Sequence, residues 1–267
     1  MGSIPTARSK NKYGLMMQTK RLCATLISLS IVAGCNGGGN STSGSSSSIT
    51  IAAPSVTYGS TSTSSIASTQ VGTTYNLFIY LPPGYTTDTS RSYPVIYGLD
   101  GDYRFSAMAG YIDHDQIKAI LIGIGRADRR SIDYGLPGAD AYYNFLTLEL
   151  IPFIESQFRV ETNSRTVTGH SFAGLFVGLA LFKDRLNATH YFKNFIAQDP
   201  TFYYQLGSLF TMEQQVFDNS GASLPVTYVL SADSCCNEPE TTLLYNKLVS
   251  RNYPDLNIKK LAAYNVG

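Results

Sequence analysis

Between Tyr75 and Gly267 the chain alternates two kinds of apolar pattern. Short continuous runs read as strands buried on both faces: Pro94-Val95-Ile96-Tyr97-Gly98-Leu99 and Ala119-Ile120-Leu121-Ile122-Gly123-Ile124. Tyr75 to Leu81 is rich in β-formers and is stopped by Pro82-Pro83-Gly84. Arg165 to Thr168, Phe195 to Ala197, Val226 to Leu230 and Ile258 to Val266 are further strand candidates, and a strand-like, Thr/Ser/Val-rich pattern begins near Ile49. Between them lie helical patterns. Phe145, Leu148, Ile151, Ile154 and Phe158 recur at helical spacing, with Pro152 expected to kink that helix or mark its start. Phe172 to Phe182 is apolar nearly all round, which predicts a buried helix, and Thr241 to Val249 predicts another. Strands alternating with helices imply an α/β fold with a mostly parallel central sheet and helices on both faces.

The first residues follow a different logic. Lys20 and Arg21 precede an apolar stretch from Leu22 to Gly34, too short to span a membrane and suited to a signal-peptide core. Its end, Val32-Ala33-Gly34-Cys35, resembles the lipobox of bacterial lipoproteins, and that resemblance implies lipidation of Cys35. Residues before Met16 read as upstream extension, with Met16 or Met17 as the start. Asn36 to Ser48 is almost wholly Gly, Ser, Asn and Thr, a composition that behaves as a flexible tether. The expected organisation is a signal peptide over 1–35, a tether over 36–48 and one folded domain over 49–267, held through its lipid at a bacterial cell-envelope membrane.

Composition narrows the picture. The net charge of +1 gives no electrostatic footprint for nucleic acid. With Cys23 in the signal core and Cys35 lipidated, only the adjacent Cys235 and Cys236 remain in the domain, as two thiols, a strained vicinal bridge or an intermolecular bond. No spacing matches a zinc site, and no metal or organic cofactor is implied.

The candidate chemistry lies where a predicted strand meets the buried helix, at Gly169-His170-Ser171-Phe172-Ala173-Gly174. A nucleophile elbow holds its serine on such a turn, with small residues two places either side. Gly169 and Ala173 fill those places, although the last is more often glycine. The helix N-terminus behind Ser171 presents amides to a developing oxyanion. The acid is expected in the loop after Val226–Leu230: Asp233 fits best and can equally be a solvated loop carboxylate, with Glu238 and Glu240 as alternatives for which the solvated reading is favoured.

Leu81-Pro82-Pro83-Gly84-Tyr85, Tyr93 to Tyr97, Leu99-Asp100-Gly101-Asp102, Glu149 to Glu155 and the Ser171 elbow together resemble the putative-esterase family of α/β hydrolases. That family includes siderophore esterases, feruloyl esterases, S-formylglutathione hydrolase and mycolyltransferases. The resemblance runs from about Tyr75 onward and is nearest the siderophore-esterase branch. It implies ester hydrolysis through an acyl-enzyme on Ser171, or acyl transfer by the same route, with a small-molecule ester as partner. It also implies an oxyanion hole formed by the amides of Phe172 and Asp102, the Asp102 side chain being incidental. Asp199-Pro200-Thr201-Phe202-Tyr203-Tyr204 occupies the place of an acyl-pocket cluster, and Arg126, Arg129 and Arg130 are either substrate contacts or a solvated basic loop.

The general base is the difficulty. The fold's order is Ser, acid, His, yet the three histidines, His114, His170 and His190, all precede Asp233. His114 and His190 precede strands and so belong to the far edge, while strand alternation turns His170 away from the serine. The expectation is a chain cut shortly before its catalytic His. On that basis it is either a weakly active esterase or a tethered binding lipoprotein on a decayed hydrolase scaffold.

Overall fold

The computed structural model describes residues 52–187, 190–219, 223–233 and 236–261. The signal segment with Cys35, the tether, Cys235 and residues 262–267 lie outside them. One eight-stranded sheet organises the described chain in the order β1-β2-β4-β3-β5-β6-β7-β8. Its strands are β1 (Ser60–Ser68), β2 (Thr73–Leu81), β3 (Tyr93–Gly98), β4 (Ile120–Gly125), β5 (Val160–His170), β6 (Asn194–Gln198), β7 (Thr227–Ser231) and β8 (Asn257–Lys260). β1 and β2 form an antiparallel hairpin, and β2 joins β4 antiparallel. From β4 to β8 every pairing is parallel.

Burial explains the order. All of β4 and all of β6 are buried, and β3 is buried but for Pro94, as expected of strands covered on two faces. β1, largely Ser and Thr, is exposed along most of its length and forms an edge. Alternation along the strands divides the apolar side chains into two layers. Ile96, Leu121, Ile196 and Val229 join Phe105, Met108 and Ile112 of helix α1 (Gly101–His114). Val95, Tyr97, Ile122, Val167 and Tyr228 join Phe176 and Leu179 of α4 (Phe172–Leu186), Leu209 of α5 (Leu206–Asn219) and Leu244 of α6 (Glu238–Arg251). Helices therefore cover both faces.

The helix expected around Pro152 departs from the simple pattern. α2 (Gly138–Asn144) runs through a π-helical turn at Phe145–Leu150 into α3 (Ile151–Gln157), with Pro152 in the first turn of α3. Pro152 cannot donate to the carbonyl four residues back, and the widened turn accommodates that. The extra residue also shifts the phase: Phe145, Ile151 and Ile154 are buried, but Leu148, expected on the buried face, is 55% exposed. Two helices, α1 and α5, were not foreseen from the apolar pattern.

Two buried carboxylates fasten peripheral segments. Asp113 of α1 accepts the amides of Thr57, Tyr58 and Gly59 (2.7, 2.9 and 2.6 Å) and the Tyr80 hydroxyl (2.9 Å). Glu213 of α5 accepts bonds from Arg251 (3.0 Å) and Tyr253 (2.8 Å) and pairs with Lys247 at 3.0 Å. Burial pushes both carboxyls up, but these donors outweigh it and hold both below their ordinary range. A depressed folded pKa contributes stability above the unfolded value and loses it as pH falls through the folded one. The melting temperature is therefore expected to fall below about pH 4. Glu213→Ala, which strands two cations, is expected to cost about 3 kcal/mol at pH 7 in urea unfolding and to flatten that acid dependence.

Candidate active site

β5 ends at His170, and α4 begins at Phe172. Ser171 alone makes the turn, at φ 58 and ψ −118. An L-residue with a side chain pays for this conformation, so the flanks must over-determine it. A Cβ on Gly169 would meet the Ala173 carbonyl oxygen at 2.5 Å and its carbon at 2.6 Å, so only glycine fits the incoming strand against the first turn of α4. The Ser171 amide donates to the Gln198 carbonyl (2.9 Å), and its own carbonyl accepts from Leu175 (3.1 Å) and Thr201 (3.2 Å). The turn is thus tied to its own helix, to the end of β6 and to the loop beyond it.

Ser171 opens into a cleft of about 700 Å³ lined by Tyr103, Ala127, Arg130, Ser131, Phe172, Thr201, Tyr203 and Tyr204. Tyr103, Tyr203 and Tyr204 are each more than 60% exposed, so their rings form a rim rather than core. Phe172 meets Tyr204 edge to face at 5.2 Å between centroids. The Thr201 hydroxyl is buried without a hydrogen-bond partner at the same wall.

Asp102 lies in the first turn of α1, not in a surface turn. Tyr103 and Arg104 donate to the Asp100 carbonyl (2.9 Å each). The Asp102 amide, among the first four of its helix, has no intrahelical acceptor. Its side chain is not incidental: the carboxylate accepts the Ala127 amide at 2.9 Å. Asp233 sits two residues past β7, buried, with its amide donating to the Asp199 carboxylate (3.0 Å). Glu238 is turned to Lys260 and Thr242, and these bonds hold its carboxyl below the usual range. Glu240 is half-exposed in the first turn of α6.

Each of the three arginines has a carboxylate partner. Arg126 pairs with Asp128 (2.9 Å), Arg129 with Asp133 (2.9 Å) and Arg130 with Asp100 (2.6 Å). Of the three, only Arg130 lines the cleft. None of the three histidines is placed on Ser171. His114 is exposed at the end of α1 and bonded to Asp115, and His190 is exposed and bonded to Arg185. Burial first, then the charges of Arg104 and Arg130, push His170 down to about 3, so its imidazole is neutral at ordinary pH.

Asp199 was read as part of the Asp199–Tyr204 cluster, but its bonds were not: at φ 44 and buried, it receives the Asp233 amide and lends its carbonyl to the Asn237 side chain (3.2 Å). Gln205 bonds both the amide and the carbonyl of Leu136 (2.9 and 3.0 Å), tying together two of the loops near the cleft. The only local signal at Asp199 was the proline after it. Among the described residues, no group of three His, Cys, Asp or Glu could hold a metal ion.

This strand order, with a strained serine between β5 and the helix that follows, is the α/β-hydrolase fold. Residues 68–197 match the family model described as Putative esterase. It is 27% identical over 164 residues to Ferri-bacillibactin esterase BesA of Bacillus subtilis (strain 168); the match covers 49% of this chain and 55% of that protein, so it spans about half of the relative's length. The fold is shared with an IroE-like serine hydrolase from Shewanella oneidensis (TM-score 0.66, 23% identity, 78% of this chain and 75% of that one). It is also shared with siderophore hydrolase EstA from Aspergillus nidulans (TM-score 0.67, 19% identity, 78% and 89%).

Proposed function

We propose that this chain belongs to an exported, lipid-anchored esterase that cleaves carboxylic esters, siderophore esters among them, through an acyl-enzyme on Ser171. The observation that carries the reading is the serine held at φ 58 at the mouth of a cleft. In this reading the Ser171 oxygen attacks the ester carbonyl, and the amides of Phe172 and Asp102 receive the oxyanion. With no base in place among the described residues, imidazole supplied from solution takes the serine proton and passes it to the departing alcohol, then takes a proton from the water that attacks the acyl group and returns one to Ser171 as the acid is released. Asp233 is the carboxylate assigned to orient the base, although no histidine among the described residues occupies the base position. The tyrosine rim suits an aromatic ester. Substrate class is also supported by the names of two similar proteins, a ferri-bacillibactin esterase and a siderophore hydrolase.

The direct test is mass spectrometry of the protein after brief exposure to p-nitrophenyl butyrate with added imidazole. A butyryl adduct confined to the peptide containing Ser171 supports the assignment; an adduct elsewhere, or an equal adduct in Ser171→Ala, overturns it. The placement of all three histidines away from Ser171 favours one second reading, a binding protein on a hydrolase scaffold. Retained binding of a ferric catecholate without any acyl adduct would select it.

Anchoring rests on Lys20-Arg21, the Leu22–Gly34 run and the Val32-Ala33-Gly34-Cys35 end. Expressed in a bacterial host with labelled palmitate, the protein is expected to incorporate label and sediment with membranes, and Cys35→Ser is expected to lose both. Equal labelling of the two would sink the lipid assignment.

A further inference from the structure

The oxyanion loop and the loop after β4 are stitched together at three points. Arg130 donates through Nε and Nη2 to the two carboxylate oxygens of Asp100, at 2.6 and 3.0 Å. The Asp100 amide donates to the Tyr134 hydroxyl at 3.2 Å. Asp102 accepts the Ala127 amide at 2.9 Å. Below the stitches there is no slack: a Cβ on Gly101 would lie 2.8 Å from the backbone of Gly123 and Ile124. Asp100 itself stands at φ 56 and ψ 39, in the left-handed region, as the residue before α1. A non-glycine residue keeps that conformation only where its surroundings hold it. The Asp100 side chain is 3% exposed, whereas that of Arg130 is 32% exposed and lines the cleft.

We propose that Arg130 is a positioning residue for the oxyanion loop: by gripping the Asp100 carboxylate with two parallel bonds it holds Asp100 left-handed, and so fixes the start of α1, whose Asp102 amide the esterase reading assigns to the oxyanion. The inference rests on the esterase reading above. Arg130 then contributes to the rate without touching the reacting atoms. A planar guanidinium fork meets this geometry, and a lysine ammonium, a single point charge, does not.

The experiment uses the whole chain with p-nitrophenyl butyrate and imidazole, beside hydrogen exchange of the peptides covering 99–104. Arg130→Gln is expected to lower kcat about 10- to 100-fold, less than the full loss of an oxyanion donor, with KM within about twofold. Arg130→Lys is expected to recover little of it. Exchange at 99–104 is expected to quicken in both variants. In the Arg130→Gln background, Asp100→Gly is expected to restore much of the rate, because glycine adopts the left-handed conformation without a partner and removes the unpaired carboxylate. A rise in KM with kcat intact would make Arg130 a substrate contact and overturn the proposal. So would unchanged exchange at 99–104. Should no variant turn over and no Ser171 adduct form, the esterase reading fails, and exchange still decides whether Arg130 holds the loop.

Discussion

Saturating imidazole is expected to raise ester turnover by this chain on the order of 10- to 100-fold, and Ser171→Ala is expected to abolish that gain. A positioned general base is typically worth about 10²–10⁴ in rate. Ser171 has its strained turn, its helix N-terminus and its cleft, but His114, His170 and His190 are held elsewhere. A cleft of about 700 Å³ has room for a free imidazole beside the serine. Such a base lacks fixed orientation, so only part of the full factor is expected back. Without imidazole, Ser171→Ala should change little, because catalytic groups that act as a unit are not additive and a site lacking one member keeps only what binding and oxyanion stabilisation supply, roughly 10³–10⁴ over water. Initial rates for both proteins across an imidazole series, corrected for the solution reaction, measure the difference. Parallel slopes for the two would remove Ser171 from the chemistry.

Gly169→Ala is expected to damage stability and rate together. The added methyl would stand 2.5 Å from the Ala173 carbonyl oxygen and 2.6 Å from its carbon, both backbone atoms that no rotamer change can move. Either β5 withdraws or the first turn of α4 lifts. Overpacking of this kind costs about 1–3 kcal/mol. The same displacement moves Ser171 relative to its cleft, and a shift near 1 Å costs about 10² in rate. Urea unfolding and imidazole-supported turnover check the two parts. By contrast Gly207, where an added Cβ meets nothing within 4 Å, is expected to tolerate alanine with little change in either measurement.

Local features were legible before the structure, and long-range pairings were not. β3 and β4 announce themselves as continuous apolar runs because both faces are covered. Gly169, Ser171 and the buried α4 follow one another in sequence, so the elbow is written in adjacent residues. α1 carries Asp102, Tyr103, Arg104 and Asp113 among its apolar residues, and that polar content masked its helical period. The π turn at Phe145–Leu150 moved Leu148 to the surface through a phase shift that spacing alone does not carry. The partners of the arginines were hidden for another reason: Arg130 and Asp100 are separated by 30 residues, and Glu213 and Arg251 by 38. Nothing local distinguishes a solvated charge from one whose counter-ion arrives from another element.

The grip of Asp113 on Thr57, Tyr58 and Gly59 sets a direction as well as a stability. α1 starts beside the cleft at Gly101 and runs about 20 Å to the opposite edge of the sheet, where Asp113 sits. β1, parallel in sense to β4, also starts at that edge. The first described residues therefore lie on the side remote from Ser171, where Thr57, Tyr58 and Gly59 are bonded to Asp113. Residue 52 and the cleft thus lie at opposite ends of α1, so a label or linker attached near residue 52 is held away from Ser171 by the length of that helix.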